Sequence, residues 1–242
     1  MRALRAELSK LATLPFTWIA AAAGIIIPTG ISIITSATST PGPDTGFAEL
    51  AVGVLGAIVL GVNAIGSEYT TEGEESAGSR QITTTLTATP SRMRVLLAKA
   101  GAAIIATALL AVVAIAIVQA TVRITLGDAA PALDADAFAR MGGAALYWVL
   151  MALLAFGLTV LTRNGIIPMA ILVANSSVVA VTYLLAQNIP AANYLPDLAG
   201  MRMFTTIESS VVIAPVTGGI VMAGWIAVLL IVAGVVFSRR DA

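Results

Sequence analysis

Residues 101–120, GAAIIATALLAVVAIAIVQA, run for twenty positions without an Asp, Glu, Lys or Arg. A helix needs about 20 apolar residues to cross a hydrocarbon core, so this stretch predicts a transmembrane helix. Five more charge-free stretches lie around it: Phe16 to Thr35, Leu50 to Ile65, Gly142 to Leu161, Ile166 to Ala186 and Val211 to Phe237. The run from Leu50 is short and is extended by Gly66 and Ser67. The one from Phe16 follows basic residues but is too long for a signal-peptide core of about 7–15 residues, and it reads as a retained helix. Composition agrees, with 58% of the 242 residues hydrophobic and 11% charged, against roughly 45–50% and roughly 25% in soluble domains. The expectation is an all-α integral membrane protein, a single transmembrane domain over 1–242 with six spans.

Lys and Arg in short loops set orientation. With six spans, one side holds both termini and the connections 67–99 and 162–164, and 10 of the 13 Lys and Arg residues fall there. The other side holds Arg123, Arg140 and Arg202 beside seven acidic residues. Both termini are therefore expected in the cytoplasm.

Residues 1–15 place Leu4, Leu8 and Leu11 on one stripe, with Arg2, Arg5 and Lys10 off it and Pro15 closing the segment. That pattern predicts a helix lying in the membrane interface. The connection SEYTTEGEESAGSRQITTTLTATPSRMRVLLAK, 67–99, places acidic residues first and basic residues last. It reads as a docking surface or as a solvated loop, and composition fits both. On the opposite side, 121–141 reads as an acidic loop and 187–210 as a re-entrant or capping segment with short outer helices before the last span.

With no Cys and no His, thiolate chemistry is excluded and the commonest general base and metal ligand are missing. The spans carry no ionisable residue at depth, which argues against ion coupling. No G-x-x-x-x-G-K-[ST] loop is present, since neither Lys10 nor Lys99 follows glycine, and no G-x-S-x-G elbow or H-E-x-x-H pair appears. The chain reads as no enzyme by itself, and it needs no nucleic acid. The polar residues of the spans, among them Asn63, Asn175, Ser176, Ser177 and Thr182, either line a substrate path or bond neighbouring helices. Gly53, Gly56, Gly61 and Gly66 permit close helix contact, as do Gly218, Gly219 and Gly224. Pro28 and Pro168 are candidate kinks. Trp18, Trp148, Trp225, Tyr69 and Tyr147 are candidate interfacial anchors.

Four segments together resemble the small bacterial type-2 ABC transporter permeases: RALRAELSKLATLPFTW, SEYTT with TTTLTATPSRMRVLLAK, YLPDLAG, and APVTGGIVMAGWIAVLLIVAGVVFSRRDA. The resemblance implies an ABC-2, type V exporter-like fold in a bacterial cytoplasmic membrane. It also implies a half-transporter for peptide, antibiotic, drug or lipid, paired with a second permease, identical or homologous. Two copies of a cytoplasmic ATP-binding-cassette ATPase would carry the ATP and Mg, leaving no cofactor on this chain. By position it assigns ATPase coupling to Glu68, Tyr69, Arg80, Thr84, Thr85, Arg92, Arg94 and Lys99, and ATPase contact to the helix around Leu4 to Lys10. The sequence departs from the family where Glu72 to Gln81 separates E-Y from T-T-L. A non-catalytic scaffold or channel subunit without ATP coupling fits the neutral spans equally well.

Overall fold

The computed structural model describes residues 2–67, 69, 92–177, 181–207, 209 and 211–239. These form α1 (Arg2–Thr13), α2 (Pro15–Thr38), α3 (Ala48–Gly66), α4 (Arg92–Leu126), α5 (Ala135–Thr162), α6 (Ile166–Ser177), α7 (Val181–Asn188), α8 (Pro196–Met201) and α9 (Pro215–Arg239), with 3₁₀ turns at Gly127–Ala129 and Pro190–Tyr194. Local chemistry sets many of the ends. Prolines open α2, α8 and α9, where a missing N–H costs nothing. Asp134 Oδ1 accepts from the Ala137 amide at 2.9 Å to cap α5, and Arg163 closes that helix in the left-handed region at φ 51°, the usual C-terminal device. Asn164 Oδ1 then accepts from the Ile166 amide at 2.7 Å.

Helices α2, α3, α4, α5 and α9 are each long and apolar enough to cross a membrane, and α6 with α7, bent by 56° at their break, make up to a sixth span. This is the architecture of a multi-pass membrane protein. The bent pair follows α5. It begins beside Gly165, close to Gly66 at the end of α3, and the chain next enters α9 from the opposite end of the bundle, beside Ala199 and Met203. α6 and α7 hold 12 and 8 residues, lengths of about 18 and 12 Å along their own axes.

Several expected boundaries move, among them the start of α5, at Ala135 rather than Gly142. α4 begins at Arg92, so the last eight residues of the expected 67–99 loop are helix, and it runs to Leu126 into the expected 121–141 loop. Charge-free scanning stops at Lys99, whereas a helix can carry a charge whose partner is at hand. The last span starts at Pro215 rather than Val211. Pro168 does not kink α6, because it lies in the first turn, where amides have no intrahelical acceptor.

α3 is central and packs against α2, α4, α5 and α6. Its glycines are the reason. A Cβ at Gly61 would stand 2.1 Å from the Ala152 carbonyl oxygen of α5, and one at Gly56 would stand 2.5 Å from the Ala20 oxygen of α2. Gly66 and Gly224, by contrast, make no such close approach. Trp148 and Tyr147 are not interfacial anchors. Both are buried at mid-length in α5, where Gly53 leaves room for the indole: a Cβ there would meet Trp148 Cζ2 at 2.7 Å. The indole N–H donates to the Leu50 carbonyl at 3.0 Å. Trp18 and Trp225 do face outward.

Gly61→Ala is therefore expected to force α3 from α5 and to destabilise the protein by about 1–3 kcal/mol. Gly224→Ala, at an open position, should be neutral or stabilise by up to about 1 kcal/mol. Thermal unfolding in detergent, followed by tryptophan fluorescence, checks both. Equal melting temperatures for the two variants would contradict the packing account.

Candidate functional site

The residues expected to couple to an ATPase, where described, gather at the end of the bundle that carries α1. Leu11 is buried and Leu4 and Leu8 partly buried in a cluster with Ile65, Leu96, Phe156 and Phe237. The leucine stripe that predicted a membrane-surface helix thus packs on protein, against α4 above all. Lys99, expected on an accessible docking loop, is 1% exposed in α4 and ion-paired to Glu7 of α1 at 2.7 Å. Arg92 is half-buried and Arg94 exposed in the first turn of α4, and Lys10 is half-buried in the last turn of α1. The Tyr69 amide donates to the Gly66 carbonyl at 3.0 Å, and its ring packs on the same cluster. Glu68, Arg80, Thr84 and Thr85 lie outside the described residues.

The expected path residues divide. Asn63 is a strut, its Nδ2 donating to Thr17 Oγ1 of α2 at 3.1 Å. Asn175, Ser176 and Thr182 converge on a cavity of about 520 Å³ toward the other end. The Ser177 side chain lies outside the described set. The cavity lies beside the break between α6 and α7. At the break the Thr182 amide donates to Asn175 Oδ1 at 3.1 Å, so a side chain supplies the acceptor that a continuous helix would have provided. Asn175 Nδ2 and Thr182 Oγ1 both donate to Asp197 Oδ2, at 2.5 and 2.6 Å.

Asp197 is the residue that reading the spans missed. It belongs to α8, a six-residue helix in a connection, yet it is 7% exposed and lines the cavity with Tyr147. Its neighbourhood lies deep. Tyr147 is twelve residues, about 18 Å, into α5, and the 28 residues of that helix exceed a hydrocarbon core by only about 12 Å. α8 follows the cavity down because glycine admits it: a Cβ at Gly200 would meet Met222 Sδ at 2.1 Å and Tyr147 Cδ2 at 2.8 Å. Trp225, ten residues into α9, donates to the Tyr194 carbonyl at 2.9 Å. The segment that includes α8 thus packs beside the middle of α5 and α9. The interior expected to be free of charge contains a carboxylate that a connection brings in. The signal was the D of YLPDLAG, an acid between apolar residues.

Above the cavity Arg140 of α5 gathers three segments. It pairs with Asp44, donates to the Phe204 carbonyl through Nε at 2.8 Å and to the Pro43 carbonyl at 2.6 Å, and stacks 4.1 Å over the Phe47 ring. Asp44 Oδ2 also accepts from the Thr206 amide at 2.9 Å. Arg202 is buried too, with Nη2 donating to Asn193 Oδ1 and Ser209 Oγ, both at 2.7 Å. Burial lowers the pKa of its guanidinium, against an opposing effect of Tyr194.

No family model matches the chain, and no characterised protein matches it significantly.

The Lys99–Glu7 pair sets a test of how α1 is held. Lys99→Met leaves Glu7 without this partner in a largely buried site and should destabilise by about 3 kcal/mol. Adding Glu7→Leu should restore most of the loss. A double-mutant cycle on thermal unfolding measures the coupling, and additive losses would contradict a structural pair.

Proposed function

We propose that the chain is the membrane-spanning permease subunit of an ATP-binding-cassette exporter of the ABC-2 type. It moves a hydrophobic or amphipathic substrate outward with ATP hydrolysed on a separate subunit. The observation that carries this reading is the union of α1 with the base of α4. The Lys99–Glu7 pair and the leucine stripe join the two helices into one stiff end, with Arg5 and Arg94 exposed on it. The order of the four sequence motifs supports the same reading.

In this reading the α1 end is cytoplasmic, by the excess of Lys and Arg there, and receives the ATPase. The protein lies in a bacterial cytoplasmic membrane and pairs with a second permease. A push on Arg92 and Arg94 acts along α4, whose 35 residues extend about 52 Å. At its far end α4 meets Gly46, where a Cβ would stand 3.0 Å from Gln119 Nε2. Gly46 is two residues from Asp44, which lines the cavity. One rigid element therefore touches both the docking end and the loop above the cavity. Coupling requires that ATPase closure bias two arrangements of that element.

Reversing both charges in Arg92→Glu/Arg94→Glu should leave folding intact and reduce the retained ATPase to under ~10% of wild type. Unchanged assembly and unchanged ATPase stimulation would sink the docking assignment. The wider test is purification from the native host in mild detergent with mass spectrometry of what stays bound. An ATP-binding-cassette protein in near-equal amount is the expected result. Repeated recovery of intact protein without a nucleotide-binding partner would favour a scaffold or channel subunit.

A further inference from the structure

The cavity is lined by two carboxylates in different situations. Asp44 faces Arg140. Asp197 takes part in no ion pair among the described residues. Its Oδ2 accepts from Asn175 and Thr182, while its Oδ1 is buried without a hydrogen-bond partner among the described residues. Ser176, in the same lining, also has a buried hydroxyl without a partner among the described residues. Arg202, five residues on, donates through Nη2 to Asn193 and Ser209, and its Nε is buried without a partner among the described residues. A carboxylate withdrawn from water is costly to keep charged unless a counter-charge or a full set of donors answers it, and here half the carboxylate is unanswered. The rest of the lining includes Ala48, Ala51, Val52, Leu198 and Met201. A volume of about 520 Å³ is that of a small-molecule site.

We propose that this cavity is a binding site for amphipathic cations carrying a protonated amine. The ammonium donates to Asp197 Oδ1 and to the Ser176 hydroxyl, and the apolar part lies against the alanines, Val52, Leu198 and Met201. Asn175 and Thr182 are positioning residues that fix the carboxylate. The site deepens the export reading by naming a substrate class, but its geometry does not depend on an ATPase, so a binding assay and the pull-down fail separately.

The test uses the full chain in lipid nanodiscs, tritiated n-octylamine as probe, empty nanodiscs as blank, and unlabelled n-octylamine or n-octanol as competitor. The amine is protonated at neutral pH and the alcohol is its uncharged counterpart. We expect saturable binding of the amine, displaced by the amine at least ~10-fold more effectively than by the alcohol, as a charge-assisted hydrogen bond requires. Asp197→Asn keeps an oxygen for Asn175 and Thr182 and should lower amine affinity at least ~10-fold. Asp197→Glu should retain the preference for amine. Asp128→Asn, at an exposed position toward the same end of the bundle, should leave binding unchanged and so excludes a general surface-charge effect. Equal competition by alcohol and amine would overturn the proposal. Undiminished binding to Asp197→Asn would overturn it too. If that variant does not fold, the wild-type competition decides alone.

Discussion

The contact of α3 with α5 is the constraint on which the rest of the bundle depends. Lipid gives helices little hydrophobic reason to associate, so close packing and interhelical hydrogen bonds must hold them. α3 meets that requirement with absent side chains: Gly61 admits the Ala152 carbonyl and Gly53 admits the Trp148 ring. The indole then bonds the Leu50 carbonyl at 3.0 Å, tying the two helices by a polar link inside an apolar core. With α5 fixed, Tyr147 and Arg140 are fixed as well. One forms a wall of the cavity, and the other gathers the loops above it.

A second constraint shapes the cavity. Backbone groups at membrane depth must find partners within the protein, so a span can break only where something replaces the lost bonds. Between α6 and α7 the Asn175 side chain does this for the Thr182 amide. Its Nδ2 is then directed to Asp197 at 2.5 Å. The break, α8 and the buried carboxylate thus form one arrangement. Removing any part leaves polar groups of the others unmatched.

Much of this was legible in the sequence. Charge-free runs located the spans, because the energetics of lipid insertion are written residue by residue in composition. The glycines of α3 announced close contact, though not with which helix. Asn175, Ser176 and Thr182 stood out as polar residues in a span. What was hidden concerns pairing between segments far apart in the chain. Lys99 reads as a loop charge until Glu7, ninety-two residues earlier, is seen beside it. Trp148 and Tyr147 read as interfacial because aromatic residues concentrate at interfaces, and only the space left by Gly53 and Gly200 shows them as core. Asp197 reads as an outer-loop acid, since α8 is too short to register in a hydropathy scan and its depth is set by Gly200.

The bundle treats its buried charges differently at its two ends. Near α1, Lys99 is matched within the protein, and the pair makes a joint that resists separation, since parting the two would leave charges in a site where Lys99 is 1% exposed and Glu7 14%. At the cavity, hydroxyl and amide donors supply only part of what Asp197 needs. A matched pair favours one arrangement of its neighbours, whereas a partly matched charge responds to whatever enters. α4 touches both regions, through Lys99 at one end and through Gln119 against Gly46 at the other. The rigid joint suits transmission of a displacement, and the unfinished site suits an occupant whose presence alters the cost of that displacement. That division of roles follows from where the partners of each charge lie in the chain.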